Sequence, residues 1–134
     1  MIKNEIEKQL LSVLHLEFVG LKFTSNISEE EYHNDNFYII GKDYENKIGI
    51  KVTSLEVFSL SVNDYIFINS SLSQLINFLK FFTQTIDFNE NYVDEKRYKE
   101  IKEIKEEFRK IDCRALNEDC WWPYIIEQSK DGLL

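Results

Sequence analysis

Cysteine, glycine, proline and histidine are all scarce in this 134-residue chain, at two, four, one and two copies. Each scarcity removes a class of chemistry. Cys113 and Cys120 are seven positions apart, and His15 and His33 lie far upstream. Neither Cys-x-x-Cys nor His-x-x-x-His spacing occurs, so the ligand pattern of a zinc site is missing. Neither cysteine stands in the motif of a thiol nucleophile. With so few glycines there is no phosphate-cradling loop, which argues against a bound nucleotide. Carboxylates are plentiful, but their number without a cleft is no evidence for acid–base catalysis. The residues therefore point away from an enzyme and from any cofactor or metal.

Long apolar runs are absent too. No stretch approaches the ~20 residues of a membrane span. The first residues are charged and amphipathic, without the apolar core of a secretory signal. The expectation is a cytoplasmic protein with free thiols. Basic residues are in deficit, 16 against 24 acidic, giving a net charge of −8 and a pI near 4.8. Such a surface repels nucleic acid and anionic membrane. It favours a basic protein partner, or it serves only to keep the chain soluble.

What is abundant is aromatic: ten Phe, seven Tyr and two Trp. That is enough to fill one core, and the length suits a single domain over residues 1–134. The stretch Tyr65 to Phe82 organises it. Tyr65 to Ile68 reads as an inner strand buried on both faces. Ser71 is a good N-cap and Gln74 completes a capping box. Leu72, Leu75, Ile76, Leu79 and Phe82 then recur at helical spacing, widened by Phe78 and Phe81, so this is a central helix against a sheet.

Around it, Ile2, Ile6, Leu10, Val13, Leu14 and Leu16 predict an amphipathic first helix ending near Gly20. Ser28 to Asn36 is acidic and turn-rich and reads as a loop, either solvated or a binding surface. Phe37 to Ile40 forms a short strand, and Asp43 to Asn46 a turn. Ile48, Ile50 and Val52, then Phe58, Leu60 and Val62, alternate with Gly49, Lys51 and Thr53 and with Ser59 and Ser61. This predicts an antiparallel meander with one face wet or reserved for a partner. Thr83 to Asn91 reads as a linker. Tyr92 to Ile111 predicts a charge-laced helix with Tyr98, Ile101, Ile104, Phe108 and Ile111 on one side and i,i+4 pairs such as Glu95–Lys99 and Glu106–Lys110. In the tail, Pro123 suits the first turn of a last helix, capped by Asp119 and ended by Asp131-Gly132. Of Trp121 and Trp122, at least one should be buried with its indole N–H partnered.

Two segments together resemble one family. Phe67-Ile68-Asn69-Ser70-Ser71-Leu72, leading into Leu75, Phe78 and Leu79, is similar to the strand-to-helix signature of the SUKH superfamily, in its fourth immunity subgroup. Ile111-Asp112, Ala115-Leu116, Trp121-Trp122, Ile125-Ile126-Glu127 and Asp131-Gly132 resemble the same subgroup's ending. Ile39-Ile40-Gly41-Lys42-Asp43 fits its strand end, with Lys42 where an acidic residue is frequent. The likeness covers residues 20–134. Pro123 and the region 21–36 depart from the pattern.

The resemblance implies an α+β fold, a single SUKH-like domain with a curved antiparallel sheet packed against helices. It implies a bacterial immunity protein of a polymorphic toxin system, a non-enzymatic antitoxin that binds its cognate toxin, often a nuclease, by stoichiometric occlusion. Nuclease domains are commonly basic, and an acidic inhibitor is steered to them quickly. The expected contacts are Glu29, Glu30, Glu31 and Asp35, then Asp43 and Glu45, with Tyr32 and Tyr44 as aromatic anchors. A monomer or weak homodimer is expected. The alternative is a regulatory adaptor or scaffold domain of the SUKH type, which would bind several partners with modest affinity; a small-ligand pocket is a third possibility.

Overall fold

A computed structural model describes residues 2–18, 20–86 and 94–131. Among them the order is α1 (Ile2–Leu10), β1 (Leu21–Tyr32), β2 (Asp35–Asp43), β3 (Asn46–Lys51), β4 (Val57–Leu60), β5 (Tyr65–Asn69), α2 (Leu72–Thr85), α3 (Asp94–Asp112), a 3₁₀ turn (Cys113–Leu116) and α4 (Trp121–Lys130). The strands pair antiparallel in chain order, β1-β2-β3-β4-β5. This is the α+β meander the short turns predict, with one strand more.

Most of the apolar mass lies between one sheet face and the helices. Leu21, Phe23, Ile27, Ile40, Ile48, Ile50, Val57 and Ile68 meet Leu72, Leu75, Phe78, Phe82, Ile104, Phe108 and Ile125. Trp122 sits at the centre, fully buried. Its ring contacts Phe78, Phe108 and Trp121 edge-on, at centroid distances of 5.5, 5.1 and 4.9 Å. Phe78 and Phe108 stack at 3.6 Å and join α2 to α3.

A buried polar network ties the same elements together. Asp112, at the end of α3, accepts from the Asn69 side chain at 3.0 Å and from the Ser70 amide and hydroxyl at 2.7 and 2.8 Å. The Asn69 carbonyl accepts from the Trp122 indole at 2.8 Å. Gln74 donates to the Ile111 carbonyl at 3.0 Å. The signature residues of both segments thus meet at one point, where buried polar groups must be paired.

Several expectations hold. Ser71 caps α2 and accepts from the Gln74 amide, but Gln74 does not complete the capping box: its Oε1 accepts from the Ser71 hydroxyl and its NH₂ goes to the Ile111 carbonyl. Both tryptophans are buried and both indoles are partnered. Others need correction. Ser28 to Asn36 is no loop: β1 runs to Tyr32 and β2 starts at Asp35. β5 is an edge strand, with Ile66 exposed, because nothing follows it in the meander. α1 stops at Leu10, where bonds from Leu11 and Val13 back three residues tighten the chain into turns. In β4, Ser59 faces the helices and is buried, while Phe58 and Leu60 point away from them; Val62 is exposed. On α3, Tyr98 is exposed, and Lys110 approaches Glu107 at 3.9 Å. Cys120, rather than Asp119, occupies the N-cap of α4. The expected linker from Thr83 begins too early, since α2 continues to Thr85 and is capped at Ile86; its remainder, the residues Tyr92 and Val93 and the Gly132 cap lie outside the described residues.

Candidate functional site

The acidic stretch forms a hairpin. His33 and Asn34 both have positive φ, 53° and 69°, the mark of a type I′ turn that suits the twist of paired strands. The turn is closed by Tyr32 opposite Asp35. Side chains on a strand alternate between faces, so this register splits the three glutamates. Glu30 shares a face with Phe37, its cross-strand partner, and with Tyr32. Glu29 and Glu31 point to the other face, opposite Tyr38 and Asn36.

On its helix-free face the sheet carries a second apolar layer. Phe37, Ile39, Phe58 and Leu60 are buried, with Tyr32, Tyr65 and Phe67 packed against them. Phe58 lies 5.0 Å from Tyr65, 5.7 Å from Phe67 and 6.0 Å from Phe37, ring centre to ring centre. Gly49 leaves room for this layer, since a Cβ there would come within 2.7 Å of Leu60 and 3.0 Å of Phe37. The His33 ring at the hairpin tip stands 5.8 Å from Tyr65 on the far edge strand. Such a contact across five strands requires the sheet to curl over this face. Of the two expectations for this face, wet or reserved for a partner, the wet one does not hold: it carries an apolar, largely aromatic layer.

Charges rim it in pairs. The Lys47 ammonium donates to Glu30 at 2.7 Å, and the Ser28 hydroxyl to the other Glu30 oxygen at 3.3 Å. The Lys47 bond, more than any other contact, holds the Glu30 carboxyl below its usual range and raises the lysine in return. Lys51 lies 3.6 Å from Asp35. Arg114 covers the Phe67 ring at 4.5 Å and reaches Glu56 at 2.6 Å. Glu30, Asp35 and Glu56 are thus each matched by a cation, and the excess negative charge resides elsewhere. These pairs lie at the surface or are only partly covered, and such pairs contribute little stability.

Asp43, Tyr44 and Glu45 stand at the opposite end of β2, about 25 Å along the strand at a ~3.3 Å rise per residue. Asp43 is half-buried and accepts from the Trp121 indole at 2.9 Å; burial raises its carboxyl above the usual range. This bond ties the end of β2 to the start of α4. Tyr44 and Glu45 are exposed in the turn, with Tyr44 at a φ of 53°. The expected contacts therefore fall into three places: Glu30, Tyr32 and Asp35 on the helix-free face, Glu29 and Glu31 beyond the other face, and the distant turn. The helix-free face also brings Lys47, Lys51, Phe58, Tyr65 and Arg114 beside them, residues outside the expected contacts. The alternation of Lys47, Gly49 and Lys51 was the visible signal for the first two, whereas Arg114 is joined to the sheet only by folding.

Among the described residues, no group of three or more His, Cys, Asp or Glu could hold a metal ion. No described helix is long and apolar enough to cross a membrane. Three surface clefts stand out: one of about 130 Å³ beside α1 and the start of α2, lined by Ile2, Ile6, Ile50, Leu55 and Leu72 among others, one of about 230 Å³ between α3 and α4, and a shallow one of about 300 Å³ between α1 and α2 lined by polar residues such as Lys8, Gln9 and Asn77. Only the last reaches the ~300–1,000 Å³ usual for small-molecule sites, and it lacks their apolar lining. Both cysteines are free.

A sequence model of the SUKH-4 immunity protein family matches residues 24–128, which takes in the hairpin, the network and both tryptophans. No curated protein and no solved structure gives a significant match.

Proposed function

The chain belongs to the SUKH-4 immunity protein family, and on that premise we propose that it protects its cell by binding one cognate toxin, a basic nuclease domain, and occluding it stoichiometrically without turnover. The family match carries this reading. The structure supports it in two ways. The signature residues are spent on the buried network around Asp112 and Trp122, which leaves the surface free to vary with the toxin. The net charge of −8 is not neutralised by ion pairs at the hairpin, where Glu29 and Glu31 remain exposed. An acidic inhibitor raises the rate of encounter with a basic domain, and a standard interface needs only ~800 Å² from each partner. The protein acts in the cytoplasm, as a monomer or weak homodimer.

Co-expression with the toxin domain encoded beside it tests the reading. Survival of the cells, together with tight binding whose association slows as salt rises, is the expected result. A verified toxic domain that kills regardless and does not bind would refute the pairing and shift weight to the adaptor role.

A further inference from the structure

The first strand is where the sheet remains open. β1 ends the strand order, and among the described residues no strand lies beyond it. At the other edge, β5, Asp112 takes up the Asn69 side chain and the Ser70 amide just beyond the strand, and Arg114 lies over the Phe67 ring.

The hairpin fixes which backbone groups of β1 are unused. In a two-residue turn the closing pair, Tyr32 with Asp35, exchanges both hydrogen bonds. Tyr32, Glu30 and Ser28 therefore direct their N–H and C=O groups toward β2. Glu29 and Glu31 direct theirs outward, away from the sheet. Both residues are exposed, and neither carboxylate is ion-paired among the described residues, whereas Glu30 is committed to Lys47. The register shifts between Phe23 and Ser28, so the straight edge comprises residues 28–32. At ~3.3 Å per residue it is about 16 Å long, the length of an ordinary short strand.

We infer that this edge receives an extended basic segment of the toxin as a sixth strand, bonded to the backbone of Glu29 and Glu31, with cationic side chains two residues apart facing their carboxylates. The inference rests on the immunity reading and adds the mode of recognition to it. Strand addition draws affinity from main-chain bonds and specificity from alternate side chains. Charge selects the occupant. In a second copy of this chain paired about Glu30, Glu29 would face Glu31 of the partner, and like charges directly opposite are unfavourable. Lys or Arg at those positions would be favourable. The three glutamates also explain why an open edge is tolerated at all, since charge is a common guard against indiscriminate strand pairing.

The test uses the full chain and the toxin domain encoded beside it, with amide hydrogen exchange read residue by residue. On complex formation the Glu29 and Glu31 amides should slow at least tenfold, whereas the Glu30 amide is already held in the β1–β2 ladder. Glu31→Pro removes one outward N–H and none of the ladder bonds, a placement proline accepts on edge strands. It should weaken binding about five- to tenfold, the effect of one main-chain bond, while the melting temperature stays within a few degrees. Glu31→Gln keeps the N–H and should only slow association at low salt. A complex in which both amides exchange as in the free chain, or which Glu31→Pro leaves as tight, overturns strand addition while the immunity reading stands. Absence of any complex with a verified toxin overturns the immunity reading, and strand addition with it. If Glu31→Pro fails to fold, amide exchange in the unmodified chain decides alone.

Discussion

Replacing Asp112 with alanine should destabilise the domain far more than replacing it with asparagine. Asp112 is buried and accepts three hydrogen bonds, from the Asn69 side chain and from the amide and hydroxyl of Ser70. Alanine leaves the part-buried Ser70 amide and one buried Asn69 N–H without an acceptor. Two donors left unpaired at about 1–3 kcal/mol each, with the Ser70 hydroxyl bond lost as well, give a total of about 3–5 kcal/mol. Unfolding a 134-residue chain carries an entropy of roughly 0.28 kcal/mol/K at ~2.1 cal/mol/K per residue, so the melting temperature should fall by about 10–18 °C. Asparagine behaves differently. Its carbonyl can take the two bonds now made to Oδ2, and its NH₂ can donate to the Ser70 oxygen, because a hydroxyl reverses from donor to acceptor by rotating. A loss of about 1–2 kcal/mol is expected. Urea unfolding with unchanged m-values measures both. Equal losses for the two variants, or a loss below ~1 kcal/mol for alanine, would show that the network does not hold strand, helix and tail together.

Other perturbations follow from the same geometry. Trp122→Phe keeps the aromatic packing but leaves the buried Asn69 carbonyl without its donor, at a cost of about 2–3 kcal/mol by urea unfolding. The Asp43 carboxyl is raised by burial, so its contribution to stability is present below the unfolded-state value and is lost as pH rises through the folded one. Asp43→Asn, which still accepts from Trp121, should therefore match or exceed the original at neutral pH and lose that advantage in acid, read as melting temperature against pH. Gly41→Ala would drive a Cβ into the Lys22 carbonyl where β1 crosses the β2 bulge, and should cost about 2–3 kcal/mol in the same unfolding assay.

The parts legible in the sequence were those where local chemistry and burial agree. Ser71 and Gln74 mark the start of α2, and the paired tryptophans demanded burial and partners, which they have. The acidic hairpin was illegible because its residues do not alternate in polarity. Its glutamates guard an edge, and His33-Asn34 forms a tight turn that ordinary turn signals had spread over nine residues. β4 misled for another reason. Alternation shows that a strand has two faces but not which one meets the helices. With aromatic layers on both sides of this sheet, Phe58 and Leu60 belong to the outer layer and Ser59 to the inner. The family resemblance located the fold; its binding residues had no such guide, because the signature residues are consumed by the core.

The central claim is that this protein disarms a toxin by occupying it. The most direct test titrates the purified chain into the toxin domain encoded beside it while residual toxic activity is measured. Residual activity that falls linearly to an end point at one chain per toxin is the predicted result. Full activity at saturating chain, or protection at far less than one equivalent, would contradict stoichiometric occlusion.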